Sequence, residues 1–214
     1  MVGAKCVGIL LAGQVGMEVD LSLVFRRNRK YHTCFLFMKV LETDRLFLRH
    51  IHKDDFDDLY RMNSDPVVMK YVGDGSTRNH EQMTKELEML ISHYTRKPGL
   101  GIWATILKDT NTFVGASGLV YYDNTPEIEV GYRMLKEHWN KGYATEASRG
   151  LLKYGFHKIG LNKIVSSAHV DNLASRRVME KIGMRYVDNR VQYSCLQAYY
   201  EIAADTYGTK YNSL

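Results

Sequence analysis

Three consecutive segments with the period of a strand, followed at once by one with the period of a helix, restrict this chain's fold more than any other feature. Residues 101–107, 112–121 and 128–135 each read as strands. Lys108-Asp109-Thr110-Asn111 joins the first two as a hairpin, and the turn from Asp123 to Pro126 precedes the third. A helix is predicted over 143–159, where Ala147, Leu151, Gly155 and Ile159 recur at four-residue spacing before Gly160 stops it.

The flanking segments extend this pattern. A strand at 43–51 sets Leu46 and Leu48 on one face and Phe47 and Ile51 on the other. Asp54 and Asp55 open a short helix at 56–63, ended by Asp65-Pro66. Asn79 or Thr77 caps a longer helix running to about residue 94, closed by Lys97-Pro98-Gly99. Downstream come a strand at 163–168, a helix at 172–182 stopped by Gly183, and two closing strands at 186–193 and 199–204. The expected architecture is mixed α/β (α+β): a mostly antiparallel sheet of about seven strands with helices on both faces.

Within 214 residues this order fits one large domain or two small ones, and a core of that size stands without staples. The strand pattern starts just after Met38, so the domain is expected over 38–214, with 1–37 an appendage whose Phe35-Leu36-Phe37 could add a strand. That first segment holds five basic and two acidic residues, +3 of the chain's net +5. The body therefore carries no basic cluster of the kind a nucleic-acid groove needs, and no nucleic-acid partner is expected. Arg26 to Lys30 reads as a solvated basic stretch. No apolar run reaches the eighteen residues of a membrane span. Cys6, Cys34 and Cys195 are too scattered for a disulfide framework or a structural zinc, which suits a cytoplasmic protein. His50 and His52 share a strand face but lack an evident third ligand, so no metal is expected.

The stretch Trp139-Asn140-Lys141-Gly142-Tyr143-Ala144-Thr145-Glu146-Ala147 lies between a strand and an amphipathic helix. Small residues at 142 and 144 let the backbone approach a ligand, and the free N–H groups of a first helical turn favour an anion. This is the chemistry of a phosphate or pyrophosphate site. The G-K-[ST] of a P-loop and the triple glycine of a dinucleotide fingerprint are both missing, and a tight turn without ligand accounts for the stretch equally well.

The chain resembles the GNAT-superfamily N-acetyltransferases, and within them the branch typified by the RimJ/RimL ribosomal-protein N-terminal acetyltransferases. That branch shows E-x-G-Y, W-G-x-G-Y-A-T-E-A, N-x-x-S and K-x-G-F in order. Here the pieces are Glu129 to Tyr132, Trp139 to Ala147, Asn172 to Ser175 and Lys181 to Met184, with Leu41 to Leu46 resembling the usual opening strand. The resemblance implies a central splay between the fourth and fifth strands and acetyl-CoA as co-substrate. Its pyrophosphate would lie on backbone N–H groups of Asn140, Lys141, Gly142, Tyr143, Ala144 and Thr145. The strand end Arg133-Met134-Leu135 would pair with the pantetheine amides. Asn172 would hold the coenzyme from the far side, and Ser175 would stabilise the departing thiolate. A helix N-cap and a solvent-facing serine are the plainer reading of those last two.

The implied activity is acetyl transfer to a primary amine, either a protein N-terminus or a small amine, by a monomer or homodimer. A non-catalytic acyl-CoA-binding or regulatory module is the alternative. Glu129, beside the coenzyme slot, is the first candidate base, with Glu127 in reserve at period two. A carboxylate that only binds the substrate ammonium fits as well. Three positions depart from the family. Asn140 replaces a glycine at a place where a positive φ would be less comfortable, though Asn tolerates it. Met184 replaces a Phe. Met179 stands where many relatives carry a tyrosine acid, leaving Ser175, another tyrosine or water for that task. Tyr121-Tyr122 and Tyr199-Tyr200 are candidates to line a substrate pocket or simply to straddle the sheet.

Overall fold

The structure, a computed structural model, describes residues 39–123 and 125–211; the segment 1–37, including the candidate strand at 35–37, lies outside them. Eight strands form one sheet: β1 (Lys39–Glu42), β2 (Leu46–His50), β3 (Gly101–Leu107), β4 (Thr112–Tyr121), β5 (Ile128–Met134), β6 (Lys163–His169), β7 (Arg185–Gln192) and β8 (Cys195–Ala203). Their order is β1-β2-β3-β4-β5-β6-β8-β7. Every neighbouring pair is antiparallel except β5 and β6, which run parallel and meet at a single register pair, Glu129 with Val165. The expected mixed, mostly antiparallel sheet is therefore observed, and the expected splay lies between the expected fourth and fifth strands, here β5 and β6.

The eighth strand, β1, lies just upstream of the strand expected over 43–51 and is set apart from it by a turn. The strand expected from residue 43 is broken at Thr43-Asp44-Arg45, and β1 folds back on β2. Thr43 N–H donates to the Leu46 carbonyl at 2.9 Å, and Thr43 Oγ1 accepts from Leu46 N–H at 3.1 Å, closing the turn without glycine or proline.

The helices are α1 (Phe56–Ser64), α2 (Pro66–Met69), α3 (His80–Arg96), α4 (Tyr143–Lys153), α5 (Leu173–Lys181) and α6 (Ala204–Tyr211). Of the two cap candidates, Asn79 starts α3: its side chain accepts from Gln82 N–H, and the Gln82 side chain answers to Asn79 N–H, both at 2.9 Å. The long helix expected over 143–159 is α-helical to Lys153 and continues as a wider π-type turn over Tyr154–Ile159, until Gly160 at φ 79 ends it. No helix among the described residues is long and apolar enough to cross a membrane.

Two apolar clusters cover the two faces of the sheet. Leu46, Trp103, Val130 and Ile164 pack with Ala147 and Leu151 of α4 and Met179 of α5. On the opposite face Ala104, Ile106 and Ala116 pack with Leu59 and Met62 of α1 and Met83 and Leu87 of α3. Because strand side chains alternate, β5 presents residues to both faces. Val130 and Met134 enter the first cluster, while Glu129, Gly131 and Arg133 face the side of α1 and α3.

Candidate active site

Where β5 and β6 part, side chains take over from the missing ladder. Ser166 Oγ donates to the Val130 carbonyl at 2.8 Å. One carboxylate oxygen of Glu129 accepts from the main chain and hydroxyl of Ser167, at 3.0 and 2.9 Å. Its other oxygen accepts from the Tyr193 hydroxyl at 2.8 Å. Glu129 is buried, and burial pushes its pKa above the ordinary glutamate range against the pull of these hydrogen bonds. Such a carboxyl is poised to exchange a proton nearer neutral pH than a surface glutamate.

The parted strands open a cavity of about 420 Å³. Glu129, Gly131, Tyr132 and Arg133 of β5 line it, with Ser167 of β6, Asn172 and Ser175 at the start of α5, and Asn63 and Glu86 from α1 and α3. Gly131 leaves this wall bare, since a Cβ there would meet nothing within 4 Å. Arg133 Nη1 donates to Asn63 Oδ1. Burial lowers the Arg133 pKa, opposed by the charge of Glu86.

Asn172 is the N-cap of α5, its Oδ1 accepting from Ser175 N–H at 3.1 Å. The Ser175 hydroxyl also lies 2.9 Å from the Tyr132 hydroxyl, which bonds the Ser175 carbonyl as well, at 3.0 Å. A tyrosine from β5 thus stands beside the serine, whereas Met179 is fully buried in the core. Glu127 is occupied elsewhere. It pairs with Lys163 Nζ at 2.5 Å and accepts from Tyr199 at 2.8 Å; these partners outweigh burial and hold its pKa below the ordinary value. Tyr122, just past β4, and Tyr199 and Tyr200 of β8 are buried and do not line the cavity.

Beyond Met134, β5 runs through Leu135 and a short 3-10 turn, Lys136–His138, into α4. Trp139 Nε1 donates to the Met134 carbonyl at 2.9 Å and fixes the corner. Asn140 adopts φ 60 and Gly142 φ 81, so the left-handed conformation expected to be awkward at Asn140 is the one observed. Gly142 is the N-cap of α4 and offers no side chain to the first-turn N–H groups. Glu146, in that first turn, would repel an anion. It is drawn off by Arg45 Nε at 2.6 Å, Arg45 N–H at 2.7 Å and Thr43 Oγ1 at 2.7 Å. The helix end therefore keeps its bare N–H groups while its own carboxylate is neutralised, which suits a pyrophosphate.

Comparison with known proteins decides the family. The family model described as acetyltransferase (GNAT) domain matches residues 45–185. The chain belongs to the GNAT acetyltransferases. It is an acetyl-CoA-dependent N-acetyltransferase by that membership. A relative, the uncharacterized N-acetyltransferase YoaA of Bacillus subtilis, is 31% identical over 147 residues, covering 68% of this chain and 82% of that protein. The putative ribosomal N-acetyltransferase YdaF of the same organism is 36% identical over 87 residues, 39% of this chain and 45% of that one. The crystal structure of a GNAT-family acetyltransferase from Bacillus anthracis superposes with a TM-score of 0.69 at 28% identity, covering 78% of this acetyltransferase and 99% of that chain.

Sequence reading missed Tyr193, Asn63 and Glu86 at the site. Tyr193 and Ser194 form the two-residue turn between β7 and β8, both with positive φ (49 and 63). Such turns ordinarily announce themselves through Asn-Gly or Gly-Gly. A tyrosine held there is strained, and its hydroxyl reaches Glu129 and, at 3.2 Å, accepts from Asp123 N–H.

Proposed function

We propose that this acetyltransferase moves the acetyl group of acetyl-CoA directly to a primary amine bound in the cavity between β5 and β6, with Glu129 as base. The observation that carries this reading is the buried carboxylate of Glu129, set on the wall of a cavity that opens where the sheet parts. Deprotonated, it takes a proton from the acceptor ammonium, directly or through water. The freed amine attacks the thioester carbonyl, and a tetrahedral oxyanion forms against main-chain N–H groups of β5. Its collapse releases coenzyme A thiolate, and the new amide nitrogen loses its remaining extra proton to solvent. Ser175, hydrogen-bonded to Tyr132, offers that thiolate a hydroxyl in place of the tyrosine that Met179 displaces. A thiol with a pKa of roughly 8.5 leaves without full protonation, so one hydrogen bond suffices.

The coenzyme lies with its pantetheine amides along the main chain of β5 at Arg133 and Met134 and its pyrophosphate over Asn140 to Thr145. Leu135 marks the end of that stretch, its N–H donating to the Val114 carbonyl and its carbonyl accepting from His138 N–H. Support comes from the uncapped helix end, the two left-handed residues before it and the diversion of Glu146 onto Arg45. Asn172 serves as cap and coenzyme contact together. The motifs of the RimJ/RimL branch, and a relative named as a putative ribosomal N-acetyltransferase, support an acceptor that is a protein N-terminus or a small amine. The working place of such an enzyme is the cytoplasm, as a monomer or homodimer, without a metal.

Gly142 tests the coenzyme placement. A Cβ there has room, with Arg45 Nη2 nearest at 3.4 Å, but the positive φ strains any side chain by about 1–2 kcal/mol. Gly142→Glu adds a negative charge beside the expected pyrophosphate. Calorimetry should show coenzyme A affinity at least about 10-fold weaker, with the fold retained. Unchanged affinity would move the pyrophosphate off α4.

A further inference from the structure

One wall of the cavity carries a cation, Arg133, that makes no ion pair among the described residues and feels the charge of Glu86 only from a distance. Arg133 leaves β5 on the face it shares with Glu129 and Gly131, and one nitrogen, Nη1, is taken by the buried Asn63. Nε is shut off from solvent and makes no hydrogen bond among the described residues. In a guanidinium the Nε and Nη2 hydrogens form one flat edge, the edge that fits both oxygens of a carboxylate. The bond to Asn63 leaves that edge free. Glu86, the carboxylate on the same wall, is paired with Arg78 at 3.4 Å, and Arg133 forms no ion pair among the described residues. Glu86 is thus shared between Arg78, which it pairs with from outside the cavity lining, and Arg133, so the Arg133 end of the cavity keeps a net positive character.

A buried guanidinium with no counter-ion is costly to keep. If Arg133 only filled space and held Asn63, a glutamine would serve without that cost. We propose that Arg133 anchors an anionic group of the acceptor, so that the substrate is a small amine that also bears a carboxylate, of the amino-acid kind. The inference rests on the acceptor site described above and narrows it. Four residues of β5 separate the Cα atoms of Glu129 and Arg133 by about 13 Å. Both side chains line the one cavity, with only Gly131 on that face between them. An amine at the Glu129 end and a carboxylate at the Arg133 end therefore fit within one small molecule. A polycationic amine would meet Arg133 as a like charge in a low-dielectric site.

The test is calorimetry on the coenzyme A-loaded protein with N-acetylalanine, N-acetyl-β-alanine and N-acetylphenylalanine, each against its amide. At least one acid should bind about 10-fold or more tightly than its amide. Arg133→Gln should erase that difference and leave the amide's affinity alone. Arg133→Lys, which keeps the charge but loses the flat edge, should retain part of it. Circular dichroism and coenzyme A binding, which the main chain of β5 carries, report that each variant is folded. Equal affinity for acid and amide in every pair would overturn the anchor, whatever turnover does. Transfer to the free amino acids is followed separately. Acids bound selectively but never acetylated would leave the anion site standing and overturn these amino acids as acceptors. Acids and amides acetylated with equal kcat/KM would remove the anchor alone.

Discussion

Glu129→Gln is expected to lower kcat/KM at pH 7 by about 100- to 10,000-fold, the usual cost of losing a general base. The loss should shrink as pH rises, because the acceptor amine then arrives already deprotonated. Wild-type activity should climb through the Glu129 pKa, which burial holds above the ordinary glutamate range. Stability moves the other way. A carboxyl whose folded pKa is raised binds its proton more tightly in the native state, so its contribution is complete below the unfolded value and is lost as pH rises through the folded one. Chemical denaturation of wild type and Glu129→Gln across pH should show the variant gaining relative stability through that window. A variant that tracks wild-type activity over the whole profile would exclude Glu129 as the base.

Gly131→Val should separate folding from catalysis. Position 131 is a regular strand residue whose Cβ would point into open space, and β-branched side chains suit strands. Thermal denaturation should be unchanged or slightly raised. The new side chain would stand between Glu129 and Arg133, where the reacting groups must meet. A displacement of about 1 Å there costs on the order of 100-fold, so turnover should fall by more than about 100-fold. Turnover within threefold of wild type would place the chemistry on another face of β5.

The parts of this fold that were legible in the sequence are those written locally. The hairpin from β3 to β4, the Asn79 cap and the stops at Gly160 and Gly183 depend on residues within a few positions of one another. Features held together by distant residues were not legible. Thr43 reads as a strand residue; it becomes a turn partly because its hydroxyl donates to Glu146, 103 residues on. Tyr193 reads as the end of a strand until the β7–β8 turn swings it onto Glu129, 64 residues away. At the site, Glu129, Asn172 and Ser175 stood out through motifs and Arg133 only as part of a strand end beside the coenzyme; all four line one cavity. The partners that give them character did not. Asn63 comes to Arg133 from α1, and Tyr132 meets Ser175 across 43 residues, because two cores pin helices to opposite faces of one strand.

Acetyl transfer itself is the central claim, and a coupled measurement tests it most directly. The acetyltransferase is incubated with acetyl-CoA and a panel of primary amines that includes amino acids, their amides and peptides with free N-termini. Thiol release and N-acetyl product are followed together. Thiol release should depend on the amine, be matched one for one by N-acetylated product, and be abolished or strongly reduced in Glu129→Gln. Tight coenzyme binding with no amine-dependent thiol release from any member of the panel would contradict that claim, and would mark the chain as a binding module built on a transferase fold.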